Sequence, residues 1–257
     1  MGIGDAGDGG KRVASVERAF AVIEQLRGEG SMRIEAVAEA LDVSTSTAHV
    51  HLKTLEEVEY VVRDSGGYRL GYRFLRNGVE TRERSRVYEV TRDEVDELAA
   101  ETGEVANLGV EEEGKRVLLH QAEGTNAVYD NAPIGEYTNM HWTALGKAIL
   151  AHLPEGYAGD VIDVHGLPDR QESTITDRDE LAEEFARVRD RKYAIEDEER
   201  RLGIRSVAVP ILVEDSVVGA LSVSGPKERL DDRRIEGELL PALRSRVNVV
   251  EVKYAYE

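Results

Sequence analysis

Residues 41–57, LDVSTSTAHVHLKTLEE, decide how this chain is read. Asp42-Val43 makes a tight turn, Ser44 stands where a helix N-cap belongs, and Ala48, Leu52 and Leu55 recur on one side at helical spacing. With about 100° of rotation per residue, the opposite side carries Ser46, Val50 and Lys53, flanked by Thr45, Thr47, His49 and Thr54. Such a surface suits the major groove of DNA. Hydroxyls meet phosphates and base edges, a compact valine meets a thymine methyl, and a cation meets the backbone. Ser44, Thr45 and Thr47 at the helix start also keep backbone N–H groups open toward phosphate. His51 turns nearer the core and reads as a packing residue. A capped helix with an ordinary polar solvent face carries the same groups, so the flanking segments decide.

Upstream, Ile34, Val37, Ala38 and Leu41 predict a short second helix, with Arg33 where a Ser or Thr cap is expected. Two helices joined by a brief turn are a helix-turn-helix. Before it, Val16, Ala19, Phe20, Ile23 and Leu26 predict a first helix capped by Ser15 and stopped by Gly28 and Gly30. Downstream, residues 60–70, YVVRDSGGYRL, alternate apolar and polar around Asp64-Ser65-Gly66-Gly67, the signature of a β-hairpin. Directly after the third helix, that hairpin is a wing. A winged helix-turn-helix is expected over 11–73, preceded by a Gly- and Asp-rich segment, 1–10, expected to be disordered. One winged helix reads only a few base pairs, so two copies on a pseudo-palindromic site, hence a homodimer, are expected.

Residues 74–86 are charged and helical with too little apolar face for a core of their own, and read as a linker helix. The second domain is then 87–257. Val87, Val90, Val95, Leu98 and Ala99 predict a helix ending at Gly103, and strand-like runs follow at 104–111, 115–122 and 125–130. Helices are expected at 141–153 and 177–192, strands at 206–212 and 217–225 across an acidic turn, and a closing helix from 231 to about 252. The pattern is α+β, with antiparallel strands and helices packed on the sheet.

The net charge is −18, yet residues 11–73 hold nine Lys and Arg against ten Asp and Glu, whereas 74–257 hold 24 against 39. Acid is therefore concentrated away from the DNA-reading module, which removes the conflict between an acidic chain and a polyanionic partner. Only seven of the 33 basic residues are lysine, a composition similar to proteins of salt-loving organisms. No apolar run approaches the roughly 20 residues of a membrane span, the start lacks the features of a signal peptide, and there is no cysteine. A cytoplasmic protein without membrane association is expected. Six scattered histidines show no metal spacing, and no GxSxG or HExxH occurs, so no catalytic residue, metal site or cofactor is assigned.

From Val13 to Val249 the chain resembles the IclR family of transcriptional regulators. The motifs appear in order: VERAFAVIEQL, STAHVHLKTLEE, YVVRDSGGYRLGYRF, HWTALGKAILA, TITDRDELAEEFARVRDRKYAIEDEE, LGIRSVAVPI and GALSVSGP. The resemblance implies a winged helix-turn-helix, a linker helix and a GAF-like effector-binding domain. It further implies a dimer or dimer of dimers on a double-stranded DNA operator, regulating catabolic genes in response to a small metabolite. Ser44-Thr45 stand where the family commonly has Pro-Lys, and Val50 where it commonly has Arg, so two cations are missing from the DNA face. The positions that line the family's pocket correspond here to Thr143, Ala144, Leu145, Glu196, Ile204, Ser206, Ser222 and Ser224, with Ser206 often a cysteine. Independently, Ser222 and Ser224 lie two apart on a strand of otherwise apolar residues, so both hydroxyls leave one face of the sheet. A sugar acid, keto acid or aromatic acid is the expected effector, since buried hydroxyls need partners. Hydrogen bonds within the sheet are the alternative for the serines, and a solvated acidic run, EDEER, for Glu196.

Overall fold

A computed structural model describes residues 12–128 and 132–256. They form two compact units that divide between Glu83 and Arg84. Residues 1–10, expected to be disordered, lie outside the described part.

The first unit runs α1 (Ala14–Glu29), β1 (Ser31–Met32), α2 (Ile34–Ala40), α3 (Thr45–Glu57), β2 (Val61–Asp64), β3 (Gly67–Leu70) and α4 (Arg73–Glu83). Ser44 caps α3: its Oγ accepts from the Thr47 N–H at 3.1 Å. Ala48, Leu52 and Leu55 then pack with Val22 and Leu26 of α1, Val37 and Ala38 of α2, and Val61 and Tyr68 of the hairpin. Each fully buried leucine or valine here is worth roughly 1.5–3 kcal/mol.

Two expectations for α1 need correction. The helix begins at Ala14, because the Val13 carbonyl already accepts from Val16 and Glu17, so Ser15 lies inside the first turn and does not cap it. Phe20 is 62% exposed and Val16 is exposed too; Val22 takes their place in the core, so the buried stripe is rotated. The wing also gains a strand: β1 pairs with β3, giving the order β1-β3-β2. Asp64 locks that arrangement by accepting from Ser31 Oγ (2.8 Å) and from the Gly66 and Gly67 N–H groups (2.7 and 3.1 Å). Those bonds, the serine's first, hold its carboxyl below the usual range. Gly67 has φ +135°, and a Cβ there would lie 2.2 Å from the Met32 carbonyl oxygen, so the turn requires glycine.

The second unit runs α5 (Arg86–Thr102), β4 (Val105–Glu112), β5 (Lys115–Glu123), β6 (Tyr137–Asn139), α6 (Ala144–Leu150), α7 (Glu155–His165), α8 (Arg178–Arg191), β7 (Ala194–Asp197), β8 (Ile204–Val213), β9 (Ser216–Pro226), α9 (Asp232–Arg234), a π turn (Ile235–Leu239) and α10 (Leu240–Tyr256). The sheet is antiparallel throughout, in the order β6-β5-β4-β9-β8-β7. Glu214 and Asp215, both at positive φ, turn β8 into β9. Strand alternation sends Val207, Val209, Leu221 and Val223 to a core with α5 and α10. Ala208, Ala220 and Leu118 face a second core with α6, α7 and α8. The strand expected at 125–130 does not form over 125–128, which turns instead, and 129–131 lie outside the described residues. The strand at that edge is β6, with β7 at the other. The helix expected over 141–153 is shorter because Thr143 caps it, accepting from the Gly146 N–H at 2.9 Å. The glycine-containing α7 was not expected from the sequence.

Candidate DNA-reading face and effector cavity

On α3 the residues expected to face DNA are exposed, Thr47 excepted, which is half-buried. Their chemistry divides. Ser44 and Thr47 are occupied with each other, their hydroxyl oxygens 2.9 Å apart, as part of the cap. Thr45, Ser46, His49 and Val50 remain as an outward surface, with Val50 62% exposed. Lys53 is flanked by carboxylates on its own helix, Glu56 at 3.3 Å and Glu57 at 3.8 Å, which dilutes the cation the face depends on. The wing adds Arg63 and Arg69, which reading the helix alone does not pick out. Arg63 donates to the Tyr68 hydroxyl, and Arg69 lies 3.3 Å from Asp64.

In the second unit, β9, β8, β7 and β4 bring polar side chains to one cavity of about 30 Å³. Of the eight residues expected there, Thr143, Ala144, Leu145, Glu196, Ser206, Ser222 and Ser224 line it. Ile204 does not: it is buried at the start of β8, opposite Pro226, beyond the end of the cavity. Asn107 on β4 is the organising residue that sequence reading missed. Its Nδ2 donates to Ser222 Oγ and Ser224 Oγ, both at 3.3 Å, while its Oδ1 accepts from Gln121 at 2.8 Å. Its signal was a carboxamide inside the apolar run VANLGV. Arg116 and Arg200 also line the cavity, with Arg116 buried and held by Glu136 at 3.1 Å. The loop after β7 is pinned to α6 by the buried pair of Lys147 and Glu199.

Glu196 is 2% exposed, so EDEER is not uniformly solvated. Its oxygens accept from Ser206 Oγ (2.9 Å) and the Arg200 N–H (3.2 Å), but burial outweighs both and pushes its pKa up to about 7. A carboxyl with a folded pKa above its unfolded value makes the folded state the better proton binder. Its contribution is complete below the unfolded value of 4.5 and is lost as pH rises through about 7. The loss is about 3 kcal/mol. Glu196→Gln is therefore expected to gain stability relative to the unmodified protein between about pH 5 and about pH 8 in parallel urea melts. A constant difference across that range would contradict the assignment.

A winged helix-turn-helix joined to a domain with a polar cavity is an arrangement suited to a DNA-binding transcriptional regulator. Comparison with known proteins makes this specific. Residues 80–251 match the family "Bacterial transcriptional regulator IclR C-terminal", and residues 15–65 match the IclR helix-turn-helix domain. The chain is 33% identical over 248 residues to the probable HTH-type transcriptional regulator ArcR of Halobacterium salinarum, covering 95% of this chain and 94% of that one. The crystal structure of Thermotoga maritima IclR superposes with a TM-score of 0.82 at 26% identity, over 95% of this chain and all of that one. The inducer-binding domain of the PobR transcription factor from Acinetobacter, a double mutant in complex with 3-hydroxybenzoic acid, superposes at 0.58 with 25% identity, over 63% of this chain and 96% of that one. The chain belongs to the IclR family of transcriptional regulators, and its relatives are regulators by name rather than enzymes.

Proposed function

We propose that the protein reads a double-stranded operator with α3 and the wing, and that a small acid bound in the cavity of the second unit controls its grip on catabolic genes. The observation that carries this is the convergence of three serines, Asn107 and Glu196 from four strands, with Thr143 at the start of α6, on one buried cavity. Hydroxyls, a carboxamide and a carboxyl gathered on one cavity offer a ligand several hydrogen-bonding groups at fixed positions. The DNA contacts are assigned to Ser44, Thr45, Ser46, Thr47, His49, Val50 and Lys53. Sugar acids, keto acids and aromatic acids are the candidate effectors, in keeping with the hydroxybenzoic acid held by the PobR domain. Coupling between the sites runs through α4, the covalent route from one unit to the other, and is worth about 1–3 kcal/mol. A cytoplasmic, salt-rich setting fits the acidic composition; no helix among the described residues is long and apolar enough to cross a membrane. The test is an operator titration by fluorescence anisotropy with and without a panel of these acids. Operator affinity that no acid changes would leave a ligand-independent DNA-binding role.

The functional unit is a homodimer, or a dimer of dimers. Val13, Val16 and Phe20 at α1, with Tyr72 and Leu75 at α4, are large apolar side chains left in water by a single copy, and a second copy is their natural cover. Light scattering at micromolar concentration is expected to give at least twice the 28.5 kDa chain mass, and Phe20→Glu with Leu75→Glu is expected to shift the protein toward monomer. A monomer before mutation would contradict the proposal.

A further inference from the structure

The cavity of about 30 Å³ has room for two waters or for one end of a small metabolite. Beside it lies a second pocket of about 330 Å³, lined in part by Lys115, Glu136, Thr138, Trp142, Arg170 and Arg200. Arg200 lines both pockets, and the Arg116–Glu136 ion pair joins the wall of one to the wall of the other. In the inner cavity four hydroxyls and a carboxamide stand beside Glu196 and Arg200, and the charge of Arg116 is met by Glu136.

Among the described residues that line the outer pocket Glu136 is the sole carboxylate, and it is the one already engaged by Arg116. Lys115 has a neutral partner, the Asn139 carboxamide oxygen. The Arg170 guanidinium makes no ion pair or hydrogen bond with any described residue. Trp142 Nε1 and Thr138 Oγ1 are buried without a hydrogen-bond partner among the described residues. In a chain of net charge −18, two cations without carboxylate partners among the described residues and two unused polar groups around one pocket describe a place for an anion.

We propose that the two pockets form one bipartite site, in which the uncharged, hydroxylated end of the effector lies against Ser206, Ser222 and Ser224 and its carboxylate lies in the outer pocket against Lys115 and Arg170. This rests on the effector-binding reading above and narrows it to an open-chain hydroxy acid of the sugar-acid class. The serine and threonine hydroxyls and the Asn107 carboxamide of the inner lining match a hydroxylated chain rather than an aromatic ring.

Isothermal titration of the full-length protein tests this with gluconate, sorbitol, hexanoate and 4-hydroxybenzoate. Gluconate is expected to bind at least about tenfold more tightly than sorbitol, which lacks the carboxylate, and than hexanoate, which lacks the hydroxyls. Lys115→Gln with Arg170→Gln is expected to weaken gluconate at least about tenfold and to leave sorbitol unchanged. Arg170→Gln alone removes an exposed side chain without an internal partner, so its effect reports binding and not folding. Unchanged gluconate affinity in both variants would overturn the outer subsite while leaving the effector reading intact. Binding of 4-hydroxybenzoate in preference to gluconate would overturn the hydroxy-acid assignment alone. No heat from gluconate, together with no effect of any acid in the operator titration, would overturn both readings.

Discussion

Val50→Glu is expected to abolish specific operator binding, by about a hundredfold or more, with the melting temperature essentially unchanged. Val50 lies on the side of α3 opposite Ala48, Leu52 and Leu55, so the substitution leaves the core intact. It places a carboxylate where the helix would meet base edges, beside a Lys53 already shared with Glu56 and Glu57. The compact methyl surface is lost, and an unpaired anion is driven toward DNA; in a dimer both penalties apply twice. Lys53→Ala behaves differently: it is expected to weaken all duplexes alike and to lower the salt dependence, since a cation near phosphates carries no sequence information. The measurement is anisotropy on an operator recovered by selection from random duplex DNA, against a scrambled duplex, across a salt series. Unaltered operator affinity for Val50→Glu would remove α3 from the groove.

What the sequence made visible follows from how local each signal is. The limits and core face of α3 were legible because its cap, its apolar period and the turn before it all lie within residues 42–57. The β2-β3 hairpin was legible because its turn residues dictate the register. β1 was not: two residues cannot show a period, and their role comes from pairing with β3, more than 30 positions away. Phe20 misled because the apolar stripe of α1 is wider than its buried part, and periodicity marks an apolar face without showing how much of it is covered. In the cavity, Ser222 and Ser224 stood out by strand alternation, but Asn107 and Arg116 are brought to them only by the sheet order β5-β4-β9. Ile204 shares a strand with Ser206 yet falls beyond the cavity, because pocket depth is a tertiary property.

Replacing Ser222 and Ser224 together with alanine is expected to abolish the effector response and preserve DNA binding in its absence. Both hydroxyl oxygens accept from Asn107, so the double variant leaves that carboxamide N–H group without its acceptors in the sheet. A stability loss of about 1–3 kcal/mol is therefore expected, tolerable in a domain with two apolar cores. The effector loses more. Hydroxyls that leave one sheet face together form a preorganised pair, and a ligand oxygen seated between them has no alternative donor of the same geometry. Without differential binding, the ligand cannot shift the population of the DNA-binding form, so a coupling of about 1–3 kcal/mol should fall to nearly zero. Ser206→Cys is the matched control, because a thiol often stands at this position in the family and keeps the shape of the cavity; the response is expected to survive. Operator titrations with and without a responsive acid decide the matter for all three proteins. A double variant that still responds as the unmodified protein does would place the effector elsewhere in the second unit, and the loss of DNA binding along with the response would mean that the serines support the fold rather than the signal.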